Sequence, residues 1–182
     1  NLAMINDFLD KNSQLSGIIN GNGNVAWFSD KPFQMNLALN SNELGFKQRI
    51  DYRTFQISLA NLKIDSQIQD NNLGLKAETT INRQGKLTTD LAIRDLATTR
   101  QLSGNIDLQG LNLDLLNQLL AKGEYVHGAI NSRLQLSGNL QAPLLNGGFN
   151  VQNISAKVYS MPFQISDGQL NIAFNGAAST LN

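Results

Sequence analysis

The chain has 182 residues, with 14 Lys and Arg against 14 Asp and Glu and a formal charge of zero. That balance excludes the basic footprint a nucleic acid requires and the cationic block that seeks an anionic membrane surface. No cysteine is present, so thiol nucleophiles, disulfides and thiolate metal sites are removed together. Only 15% of residues are charged, and 24 Asn carry much of the remaining polarity. The length fits one domain, 1–182, and no apolar run approaches the roughly 18 to 20 residues that cross a bilayer.

In chain order, Leu2 to Leu9 comes first, with Ile5, Phe8 and Leu9 at helical spacing. Period-two alternation then takes over, the rhythm of a strand with one wet and one dry face. Val25 with Trp27, Met35 with Leu37 and Leu39, Leu44 with Phe46, and Ile50 with Tyr52 begin it. Leu62, Ile64, Ser66 and Ile68 form a dry row against Lys63, Asp65, Gln67 and Gln69. Leu73, Leu75, Ala77, Thr79 and Ile81 follow, then Leu87, Thr89, Leu91 and Ile93, then Leu102, Gly104, Ile106 and Leu108. A second helical stretch runs from Leu113 to Leu120, capped by Asn112 or Asp114. Beyond it the rows are Gly128, Ile130, Ser132, Leu134, Leu136, Gly138 and Leu140, Phe149 with Val151, Phe163 with Ile165, and Leu170, Ile172 and Phe174. Asn20-Gly21, Asn22-Gly23, Asn146-Gly147, Asp167-Gly168 and Asn175-Gly176 read as hairpin turns. The expectation is about a dozen antiparallel strands and two short helices.

An internal repeat is the most specific feature. Phe55-Gln56-Ile57-Ser58, followed by Leu62 and Ile64, recurs 108 residues later as Phe163-Gln164-Ile165-Ser166, followed by Leu170 and Ile172. Phe8-Leu9 with Gly17 and Ile19 matches Leu119-Leu120 with Gly128 and Ile130 at a spacing of 111. The repeat units are therefore about 1–110 and 111–182.

Reactive constellations are thin. His127 is the one imidazole and reads as a turn residue on a wet row, which leaves little for a triad or a histidine metal site. Asp65, Glu78 and Asp90 sit on polar rows near Lys or Arg, where solvated pairing is the default over acid-base chemistry. Gly21-Asn22-Gly23 lacks the Lys and helix start of a phosphate-cradling loop, and Asp167 beside Gly168 reads as a turn. Neither an enzyme nor a cofactor or metal site is expected.

The stretch from Leu113 to Phe174 resembles the repeating pattern of the TamB family within the AsmA-like proteins. A Leu-rich helix precedes Val126-His127-Gly128-Ala129-Ile130, then come Leu136-Ser137-Gly138-Asn139-Leu140-Gln141-Ala142-Pro143 and a close at Asp167-Gly168-Gln169-Leu170-Asn171-Ile172. The first repeat lacks a counterpart of Pro143. The resemblance covers about the last 85 residues directly and the first 90 through the repeat. It implies a long bridge in the periplasm of a Gram-negative bacterium, anchored in the inner membrane. Its curved β-sheet, a β-taco, would carry phospholipid on an apolar concave face and partner TamA in outer-membrane biogenesis. With no membrane-spanning segment in it, the chain is expected to be an internal or C-terminal piece.

The expected fold is therefore all-β: one long antiparallel sheet curved into a trough. The alternative is a closed sandwich or barrel in which the same rows pack on each other. The lining of the trough would be Leu62, Ile64, Ile68, Leu73, Leu75, Ile81, Leu87, Leu91, Ile93, Leu102, Ile106, Leu108, Ile130, Leu134, Leu136, Phe149, Val151, Phe163, Ile165, Leu170, Ile172 and Phe174. No aromatic residue occurs between Leu59 and Glu124, and a smooth aliphatic surface suits an acyl chain. Two functions follow: a lipid conduit, or a module that receives strands of outer-membrane clients or of TamA by strand addition.

Overall fold

The computed structural model describes residues 1–27, 29–176 and 178–181. A 3-10 helix, η1 (Leu2–Phe8), leads into β1 (Ser13–Gly17), β2 (Asn20–Ala26), β3 (Gln34–Ile50), β4 (Arg53–Gln69), β5 (Asn72–Ile81), β6 (Gly85–Arg94) and β7 (Gln101–Asn112). A second 3-10 helix, η2 (Leu113–Leu119), then precedes β8 (Tyr125–Asn139), β9 (Ala142–Lys157), β10 (Ile165–Gly176) and β11 (Ala178–Leu181). From β3 onward each strand pairs antiparallel with the next, while β1 and β2 lie end to end along the outer edge of β3. The result is a single meandering sheet ten strands wide, about 43 Å across at roughly 4.8 Å per strand. Among the described residues no pairing joins β1 or β2 to β11, so the sheet is not closed into a barrel.

Surface area separates an open sheet from a packed core. A compact monomer of this chain's 19.9 kDa exposes about 8,700 Å², whereas this molecule exposes 11924 Å². Leu102, Leu134 and Ala156 are the buried hydrophobic residues, and no large side chain among the described residues is fully enclosed. A two-sheet sandwich of this length would enclose many, so the closed alternative is set aside in favour of an open sheet consistent with a curved trough.

The turns differ from expectation. Hairpins are made by residues at positive φ such as Asp51, Asp70 with Asn71, and Asn82 with Arg83, where a short polar side chain tolerates the left-handed region. Asn20-Gly21 opens β2 and Asn22-Gly23 lies inside it, Asn146-Gly147 lies inside β9, Asp167-Gly168 stands at an irregularity within β10, and Asn175-Gly176 ends β10. Gly147 is there for close approach instead, since a Cβ on it would stand 2.0 Å from the Arg133 carbonyl. In β4 the half-buried row passes from Phe55, Ile57 and Leu59 to Leu62, Ile64 and Ile68. Asn61, at φ 53, is the bulged residue that keeps both runs on one face.

The helices sit where the spacing placed them, but they are single 3-10 segments of seven residues. Each is tied to the strand after it by an asparagine. The Asn6 side chain accepts from the Leu15 N–H (2.7 Å) and donates to its carbonyl (3.0 Å), and Asn117 accepts from the Val126 N–H (2.7 Å). The caps correspond too, Asn1 accepting from the Ala3 N–H and Asn112 from the Asp114 N–H. All these pairs stand 111 residues apart, so the sequence repeat is also a repeat of hydrogen bonds.

Candidate hydrophobic groove

Antiparallel register decides which side chains share a face. One row crosses the sheet as Leu39, Ile64, Ala77, Thr89, Ile106, Leu134, Gly147 and Phe174, each directly opposite the next. Beside it runs Leu37, Ser66, Leu75, Leu91, Gly104, Leu136, Leu145 and Gly176, and beyond that Met35, Ile68, Leu73, Ile93 and Leu102. On the other flank Thr79, Leu87, Leu108, Ser132, Phe149 and Ile172 are in line, as are Leu59 with Ile81 and Ile130 with Val151 and Leu170. The structure thus brings the expected lining residues of β4 to β10 onto one continuous face. Leu102 and Leu134 are buried among their neighbours, and the others are half-buried. Phe163 is the exception: it precedes β10 and is 64% exposed.

Gly104 and Gly147 on this face meet close backbone. Gly104 has φ 148, and a Cβ there would lie 2.2 Å from the Asp90 carbonyl. Only a residue without a side chain lets β6 and β7 approach at that point. Ser41, Thr79 and Ser132 are the buried polar residues; Thr79 donates to the Ala60 carbonyl at 3.0 Å.

The opposite face is polar and held by charge pairs across neighbouring strands. Lys63 meets Glu78 at 2.9 Å, Lys76 meets Asp90 at 3.4 Å, and Arg133 meets Asp107 at 2.8 Å. The hydrogen bond from Lys63 holds the Glu78 carboxyl below its ordinary range and raises the Lys63 ammonium in return. His127 is a residue of β8 and not of a turn; its Nδ1 lies 2.6 Å from Asp114 Oδ1 and its ring stacks on Tyr125. Hollows also lie on this face. One of about 590 Å³ is floored by Ala38, Gly74 and Ala92 and rimmed by Asn36, Gln67, Lys76 and Asp90. Sequence alternation marks the apolar face but gives no sign of this dent, where Gly74 and Ala92 are cross-strand partners in the middle of a polar surface. No cluster able to hold a metal ion occurs among the described residues.

Residues 1–151 match the family model described as TamB, N-terminal domain. The chain belongs to the TamB family. A relative from Haemophilus influenzae, described as translocation and assembly module subunit TamB, is 45% identical over 181 residues. That alignment takes in 100% of this chain and 14% of the relative, so the chain spans about one seventh of a TamB protein's length. No solved structure matches. The family model reaches across the first repeat and just over half of the second. No helix among the described residues is long and apolar enough to cross a membrane.

Proposed function

We propose that this chain is a section of the hydrophobic groove of a TamB-type envelope bridge, and that its apolar face carries phospholipid acyl chains through the periplasm. The observation that carries the reading is a largely apolar face running across β3 to β10 with most of its side chains only half-buried. Apolar side chains left half in water are the state that a bound hydrocarbon relieves. An acyl chain of about sixteen carbons gains roughly 0.8 kcal/mol per buried methylene, or about 10 kcal/mol before entropic losses. No charged residue stands in these cross-strand rows, so the tail is recognised and the headgroup stays in water. As part of a translocation and assembly module, the whole protein would work beside TamA.

Mass spectrometry of a chloroform extract of the purified protein tests this, with phospholipid expected at near-stoichiometric amounts. Leu91→Asp and Ile106→Arg should strip that lipid while circular dichroism still reports a β-sheet, and Lys76→Glu on the polar face should leave it in place. Folded variants with undiminished lipid would sink the conduit. The second reading, strand addition by outer-membrane clients or TamA, is favoured by one feature: β11 pairs only with the Ile172 to Asn175 stretch of β10. The rest of that edge is open to an incoming strand, and such binding would survive the groove substitutions.

A further inference from the structure

The Phe-Gln-Ile-Ser tetrapeptide occurs twice, and the two copies differ in cover. At the first, η2 lies against the start of β4. The Gln118 side chain accepts from the Gln56 N–H at 2.9 Å and donates to the Gln56 carbonyl at 3.0 Å, as a paired strand would. The Arg53 guanidinium donates to the Leu119 carbonyl. Phe55 is half-buried there. At the second copy no such segment lies among the described residues, and Phe163 is 64% exposed, with Met161 at 45% and Tyr159 at 65%.

The helices show the converse. η1 shares the Asn cap and the Asn-to-strand bond of η2, yet its Met4 and Phe8 are 76% and 86% exposed, while Leu119 of η2, the counterpart of Phe8, is half-buried. The molecule therefore holds one completed junction and the two unmatched halves of another.

We infer that the edge from Phe163 to Ser166 is a docking site for a Leu-rich 3-10 segment of the η2 type, whose amide side chain brackets the Gln164 backbone as Gln118 brackets that of Gln56. The occupant belongs to a further repeat of the same polypeptide, spaced from η2 as η2 is from η1. The inference goes beyond lipid carriage and stands whether or not the apolar face carries lipid. It makes each repeat latch onto the one before it through an edge, outside the groove.

The cysteine-free chain permits a clean test. A synthetic peptide spanning Leu111 to Lys122, with Gln118 kept and a Gly-Gly-Cys tail added after Lys122, is equilibrated with the folded chain carrying Gln164→Cys, in buffer poised with reduced and oxidised β-mercaptoethanol. Mass spectrometry should show capture at least tenfold above that of the chain carrying Lys86→Cys, an exposed site on the polar face. Adding Phe163→Ser to the Gln164→Cys chain should return capture to the control level. Circular dichroism confirms that each variant is folded. Equal capture at the two positions, or capture indifferent to Phe163→Ser, overturns the proposal.

Discussion

The two faces of this sheet are built by alternate residues of the same strands, yet they are held in different ways. On β4, β5 and β6 the polar face is a ladder in which Asp65 lies opposite Lys76 and Lys76 opposite Asp90, each neighbour answering the last in charge. Among the described residues, the apolar face of those strands carries no hydrogen bond between side chains; apart from Ser66, Thr79 and Thr89 it is aliphatic area. The polar face is dented by the hollow over Gly74 and Ala92, and the apolar face has the continuous surface. For a ligand without polar groups the second matters more, because the hydrophobic effect scales with area removed from water and needs no pocket geometry.

That contrast breaks most sharply at Leu134→Asp, which places an unpaired charge among buried side chains. It should cost more than about 4 kcal/mol and abolish the far-ultraviolet β signal. Gly104→Ala, where a Cβ meets backbone at positive φ, should cost about 2 to 3 kcal/mol, read as a lower urea midpoint with an unchanged slope. Leu91→Asp is the sharpening case: half-buried and not buried, it should lose lipid with little loss of fold. Asn61→Ala should cost about 1 kcal/mol, the penalty of placing an ordinary side chain at positive φ. Smallest is the pH effect at Lys63 and Glu78. Because the folded carboxyl lies below its ordinary range, its contribution is present above that range and is lost as pH falls through the folded value. Both groups are exposed, so the melting temperatures of wild type and Lys63→Met should differ slightly at pH 7 and converge near pH 3.

How much of this was legible followed from backbone regularity. The rows of β5, β6 and β7 as far as Leu108 could be assigned residue by residue because alternation there is unbroken, as at Leu73 to Ile81 and Leu87 to Ile93. β3 and β4 were harder, because each is 17 residues long and the change of phase in β4 rests on one asparagine whose φ no composition announces. Asn-Gly pairs misled because glycine serves close approach as readily as a tight turn. Phe163 was placed on the groove by its spacing from Ile165, but the chain there has not yet entered the sheet. The repeat found by matching short words proved the most durable observation, since its spacing reappears in the caps and in Asn6 and Asn117.

A sheet ten strands wide with almost no interior has a consequence for how it comes apart. Each strand leans only on the two beside it and on the nearby 3-10 segments, so stability is a sum of nearest-neighbour terms rather than the property of a shared core. Loss of structure then spreads inward from the margins, with β2 and β11 opening first and the middle strands last. Amide exchange should map that gradient as a smooth rise in protection toward β6. Such a polymer of strands can be lengthened or shortened by whole units without redesigning what remains.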